Sequence, residues 1–90
     1  MNGQMDKIMN SKLRVYPDGT KRWYNERGEL HREENDLPAI EYADGKKAWY
    51  KNGQLHRDND LPAVIYYWGD KYWYKNGFAY RFDNWIVWNK

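Results

Sequence analysis

Three stretches of the chain are versions of one pattern: LRVYPDGTKRWY (13–24), AIEYADGKKAWY (39–50) and AVIYYWGDKYWY (63–74). Each runs into a second shared block, NERGELHREENDLP (25–38), KNGQLHRDNDLP (51–62) and KNGFAYRFDNWI (75–86). Trp23, Trp49 and Trp73 mark a period of 26 and then 24 residues. Copies of a unit this short must stack on one another, because no single copy buries its own apolar face. The first copy lacks its opening block and the last decays after Arg81, as the end copies of an array do.

Each unit reads as strand, turn, strand, turn, short strand, loop. Asp44-Gly45 and Asn52-Gly53 are strong two-residue hairpin signals, because both turn positions need positive φ. Asn76-Gly77 repeats the second turn, and Gly19 and Gly69 repeat the glycine of the first. Pro38 and Pro62 begin the following strands, where a missing N–H does least harm. With two-residue turns, Ile40 faces Trp49, Tyr42 faces Lys47, and Tyr50 faces Leu55. Alternation then puts Ile40, Tyr42, Lys47, Trp49 and His56 on one face, and Ala39, Glu41, Ala48, Tyr50, Leu55 and Arg57 on the other. In the first unit NERG replaces KNG, and a three-residue loop ending in Gly28 still sets Tyr24 against Leu30 and Trp23 against His31.

The expected fold is therefore all-β: an antiparallel β-meander of about three tandem hairpin repeats in a single-layer or curled sheet. The repeat domain is expected over residues 13–90. Residues 1–12 form an N-terminal segment, flexible or a short helix, with Met5, Ile8 and Met9 at helical spacing.

Ninety residues allow one domain. Its apolar inventory is six Trp, nine Tyr and two Phe against only twelve Leu, Ile and Val. In so small a core few aromatics can be spared for ligands. The net charge of +2 is low for a nucleic-acid binder. The absence of cysteine excludes a disulfide scaffold, thiol chemistry and cysteine zinc sites. Residues 1–12 lack the apolar core of a secretory signal, and no stretch is long enough for a transmembrane helix, so a cytoplasmic protein without membrane contact is expected.

The signature G-x-K-x-W-Y-x-(N)-G-x-L-H-R-x-x-D-L-P-A resembles variant MORN-type repeats of bacterial, phage and giant-virus proteins. The resemblance spans about residues 13–81 and is carried by Trp49, Tyr50, Asn52 and Gly53 and by the block from Leu55 to Ala63. That second block departs from ordinary MORN repeats, which are shorter and richer in glycine, so their lipid binding does not transfer. The resemblance implies an extended antiparallel sheet used for protein contacts, in some relatives as an antitoxin, and brings no catalytic residue.

Four groups of residues are candidates for function. Lys47, Trp49, Lys51 and Lys71, Trp73, Lys75 lie along single strands, as do Lys21, Trp23 and Asn25. Indoles flanked by cations suit a single-stranded nucleic acid or a phosphorylated ligand, while lysine stems covering indoles are the structural reading. His31-Arg32 and His56-Arg57 recur, but Tyr80-Arg81 stands in the third copy, which favours ring packing across from Trp over catalysis or metal binding. The repeated Arg is expected to pair with Asp36 or Asp60, or to stack on Tyr. The acidic loops carrying Asp36, Asp58 and Asp60 lack the calcium-loop pattern and read as turn and strand-start residues; if the array has a functional rim, these loops form it, and it would suit a basic partner. The run 85–88 (WIVW) is apolar enough to close the sheet, pack under an N-terminal helix, or pair with a second copy.

No nucleophile motif or phosphate-binding loop is present. The expectation is a non-enzymatic protein–protein interaction module without metal or cofactor, an inhibitor or antitoxin that blocks a partner's surface. The alternative is a nucleic-acid or phosphorylated-ligand binder working through the Lys–Trp stripes. Binding is placed on Trp23, Trp49, Trp73, Lys47, Lys51, Lys71, Lys75, Asp36, Asp58 and Asp60.

Overall fold

A computed structural model of the chain describes residues 11–32 and 34–84. The helix expected near Met5, Ile8 and Met9 and the apolar run at 85–88 lie outside them. The described chain is all-β. Its strands are β1 (Lys12–Val15), β2 (Lys21–Tyr24), β3 (Ile40–Glu41), β4 (Lys47–Ala48), β5 (Tyr50–Lys51), β6 (Gln54–Leu55), β7 (Val64–Ile65), β8 (Lys71–Lys75) and β9 (Phe78–Asp83). Seven form one antiparallel sheet in the order β1-β2-β3-β4-β7-β8-β9, and β5 and β6 pair separately.

The second turn of each unit follows the sequence. Asn52 and Gly53 take φ of 49° and 85°, Asn76 and Gly77 51° and 86°. Tyr50 pairs with Leu55. The longer first-unit loop sets Tyr24 against Leu30, with Gly28 at φ 81°.

The first turn differs from expectation. It is a three-residue loop, not a two-residue one. The Tyr42 N–H donates to the Lys46 carbonyl at 2.9 Å, and the Gly45 N–H to the Tyr42 carbonyl at 3.0 Å. Ile40 therefore pairs with Ala48, not Trp49, and Glu41 with Lys47. The cause is local. An aspartate carboxylate accepts the N–H two residues on, Lys46 for Asp44 and Thr20 for Asp18, both at 2.9 Å. Glycine alone takes the positive φ that closes the loop, 95° at Gly19, 100° at Gly45 and 104° at Gly69.

One residue of slip moves side chains to the opposite face. Directly paired residues share a face, so Arg14, Arg22, Ile40, Ala48, Val64, Tyr72 and Phe82 form one row across all seven strands. Ile40, Ala48 and Val64 of this row are the core, packed by Leu30, Tyr42, Tyr50, Leu55, Tyr66, Tyr72 and Tyr74. This is the Tyr face. The next row, Val15, Lys21, Glu41, Lys47, Ile65, Lys71 and Asp83, lies on the Trp face.

Gly45→Ala tests the first turn. The added Cβ would sit 3.4 Å from the Tyr67 Cβ in a backbone region that L residues rarely adopt. The expected loss is about 1–3 kcal/mol, read from the urea midpoint. A midpoint equal to wild type would contradict the loop geometry.

Candidate functional site

The three tryptophans of the period occupy matching positions. Trp23, Trp49 and Trp73 are 9 %, 8 % and 5 % exposed. Each indole is covered by the arginine of its own unit, Arg32 at 3.6 Å, Arg57 at 3.8 Å and Arg81 at 4.2 Å from the ring centroid. The Trp49 Nε1–H donates to the Asp36 carbonyl at 2.8 Å, and the Trp73 Nε1–H to the Asp60 carbonyl at 2.9 Å. Asn35-Asp36 and Asn59-Asp60 turn these carbonyls inward because all four residues take positive φ. Asn and Asp tolerate that region best among residues with side chains.

The Asn52-Gly53 and Asn76-Gly77 turns join each unit to the one before it. The Asn52 N–H donates to His31 Nδ1 at 2.9 Å, and the Asn76 N–H to His56 Nδ1 at 3.0 Å. The Gly53 N–H reaches the Leu30 carbonyl, and the Gly77 N–H the Leu55 carbonyl, each at 2.8 Å. A backbone N–H only donates, so each Nδ1 carries the lone pair and the ring proton sits on Nε2. In His56 that Nε2–H meets Asp58 Oδ1 at 2.8 Å. The histidines are thus placed as hinges between hairpins.

The arginines complete the joints. Arg57 donates to the Pro62 carbonyl at 3.0 Å, and its Nε and Nη2 hold both oxygens of Asp36. Arg32 makes the matching contact with the Pro38 carbonyl at 3.1 Å and pairs with Glu34 and Glu41. Asp60 accepts from the Tyr80 hydroxyl at 3.0 Å. Of the residues singled out in the sequence, the tryptophans and Asp36, Asp58 and Asp60 are therefore engaged within the fold. Lys47, Lys51 and Lys75 are exposed and Lys71 is half-buried. The indole faces that a nucleobase would stack on are occupied by guanidinium groups. The expected pairing of arginine with Asp36 is present for Arg57, but the stacking is on Trp.

Between the first two units lies a cleft of about 220 Å³ lined in part by His31, Lys51, His56, Arg57 and Asp58. Among the described residues no group of three or more His, Asp or Glu could hold a metal ion, and no helix is long and apolar enough to cross a membrane. No protein-family model, curated protein or solved structure matches the chain.

Other aromatic residues present surface to solvent. Tyr67 is 67 % exposed, Trp68 42 % and Phe78 78 %, and Tyr80 and Phe82 are also exposed. Trp68 stacks on Tyr66 at 4.6 Å and meets Tyr67 edge-on at 4.9 Å. Tyr66 contacts Tyr72, which lies 4.5 Å from Phe82. This unbroken chain of rings ends the Tyr face at the third unit. It had a sequence signal. Tyr67-Trp68 stand where the other units carry Pro17-Asp18 and Ala43-Asp44, and Phe78 stands where they carry Glu29 and Gln54.

The Asp58 carboxyl is held below the ordinary carboxylate range by its hydrogen bond from His56, with Lys51 and Lys75 adding to the effect. A carboxyl with a depressed folded pKa stabilises the fold above its unfolded pKa, and that contribution disappears as pH falls through the folded value. Wild type should lose stability more steeply than Asp58→Asn below about pH 4. Urea midpoints between about pH 6 and pH 3 read this. Parallel pH profiles for the two proteins would show that the bond contributes nothing.

Proposed function

We propose that the protein is a non-enzymatic protein-binding module, a MORN-like array of tandem β-hairpins that blocks a partner's surface as an inhibitor or antitoxin. The observation that carries this reading is the ring cluster Tyr67, Trp68, Tyr66, Tyr72 and Phe82. Contiguous exposed aromatic surface is characteristic of protein interfaces, where Trp and Tyr dominate the binding energy. It lies in the one unit whose first turn carries aromatics, Tyr67-Trp68, where the others carry Pro17-Asp18 and Ala43-Asp44. The stacking reading for nucleic acid needs open indoles, and the period tryptophans are closed by arginine.

Capture from bacterial lysates, infected and uninfected by phage, tests the reading. Wild type is compared with Trp68→Ser/Phe82→Ser. The expected result is a protein retained by wild type and lost by the variant, with the variant still folded by far-UV circular dichroism. Retention of the same proteins by both, or of none by wild type, overturns it. Loss of captured protein on nuclease treatment would transfer support to the nucleic-acid alternative.

A further inference from the structure

We infer that the first-unit end of the Tyr face is a carboxylate-binding site, built from Arg14, Arg22, Tyr16 and Tyr24, that takes an acidic segment of a partner protein. The inference rests on the protein-binding reading and names the chemistry of the partner.

Arg14 and Arg22 are directly opposed across β1 and β2 and so share a face. Like charges in that arrangement repel. Among the described residues neither guanidinium meets a carboxylate; the arginine ion pairs there belong to Arg27, Arg32, Arg57 and Arg81. Asp18 is turned into its own loop, accepting from the Thr20 N–H. Arg22 lies 5.2 Å from the Tyr16 ring centroid, and its Nε is buried without an acceptor. Among the described residues none supplies that acceptor, and a buried donor left unpaired costs stability. Beside it the Tyr16 and Tyr24 hydroxyls touch at 2.9 Å. That hydrogen bond takes up one of the two hydroxyl protons and raises the Tyr24 pKa above the ordinary phenol value; the other proton is left to donate. Two opposed guanidiniums and the one remaining hydroxyl proton match a carboxylate, which accepts from arginine in a bidentate fork.

The faces differ in how their arginines are paired. On the Trp face Arg32, Arg57 and Arg81 meet Glu34, Glu41, Asp36 and Asp83. On the Tyr face Lys46 follows the arginine pair, its Nζ 4.8 Å and 4.5 Å from the Tyr42 and Tyr66 ring centroids. Beyond it lies the ring cluster of the third unit. A short acidic segment bearing apolar side chains meets cations at one end and rings at the other.

The test uses fluorescein-labelled octaglutamate, with an oligothymidylate of eight nucleotides as the competing chemistry, by fluorescence anisotropy at low salt. Saturable octaglutamate binding is expected. It should weaken at least tenfold in Arg14→Gln/Arg22→Gln and at least threefold in Arg14→Gln, and change less than twofold in Lys47→Gln/Lys71→Gln on the Trp face. Arg14 is exposed, so the single variant keeps the test readable if the double variant fails to fold. In the free protein Arg14→Gln should raise the melting temperature by about 1–4 °C, because it removes the repulsion. No saturable binding, equal loss in the two double variants, or tighter arginine-dependent binding of the oligothymidylate overturns the assignment. A protein partner captured through Trp68 and Phe82 that binds Arg14→Gln/Arg22→Gln as tightly as wild type removes this site and leaves the protein-binding reading standing.

Discussion

Trp49→Ala is expected to lower stability by about 3–5 kcal/mol, the range for deleting a buried aromatic. In a domain of this size that is a drop of roughly 15–30 °C in melting temperature. Four losses coincide. The indole fills the joint between the first and second units and is 8 % exposed. Its Nε1–H leaves the Asp36 carbonyl without its donor. Arg57 loses the ring on which it lies. The curled Asn35-Asp36 loop loses the side chain it encloses, although its positive φ angles still disfavour that conformation. Trp68→Ala is the control. Its ring is largely outside the core and, among the described residues, stacks on Tyr66 and meets Tyr67 edge-on, so a change below about 1 kcal/mol is expected. Urea denaturation of the two variants decides between structural and binding roles for tryptophan. Equal midpoints would mean that the period tryptophans are not the joints described above.

Much of this architecture is legible in the sequence, and the places where it is not are informative. Asn52-Gly53 and Asn76-Gly77 specify their turns because only residues tolerant of positive φ fit both positions. The extra residue at Glu26-Arg27-Gly28 was readable for the same reason. Asp44-Gly45 misleads. The dipeptide suits a two-residue turn, and it equally suits the last two positions of a three-residue loop. Pro17 holds the missing signal: its fixed φ fits the first central position of a type I turn, which makes Pro17-Asp18-Gly19 the loop and sets the register for the aligned units. That single residue of slip separates Ile40 and Tyr42 from Trp49 and creates distinct Tyr and Trp faces.

The arginine lids over the tryptophans were not legible. Their position depends on how the Asn35-Asp36 and Asn59-Asp60 backbones curl, and no periodicity encodes that. The histidines show a related limit. Sequence placed them across from Trp, and the backbone bond from His31 to Trp23 is there, yet the rings serve the turn of the following unit instead. The opposition of Arg14 and Arg22 likewise appears only once the strands are in register.

Arg57→Ala should be the second most damaging change, at about 2–4 kcal/mol. Its side chain is 14 % exposed, whereas its partner Asp36 is 45 % exposed, so the carboxylate pair itself contributes modestly. The larger parts are the guanidinium on the Trp49 ring, about 2 kcal/mol when shielded from water, and the charged hydrogen bond to the Pro62 carbonyl. Removing the cap also opens one side of the Trp49 indole to water. Arg57→Lys should recover little, because an ammonium can neither lie flat on the ring nor hold two acceptors in a fork. Arg81→Ala repeats the chemistry at an edge where the side chain is 51 % exposed, and should cost under about 1 kcal/mol. The ordering Arg57→Ala below Arg57→Lys, with both well below Arg81→Ala and wild type, is the expected series of urea midpoints. If Arg57→Ala and Arg81→Ala lose equal stability, burial is not what makes the stacked arginine matter. If Arg57→Lys matches wild type, charge alone holds the joint and the planar stacking is incidental.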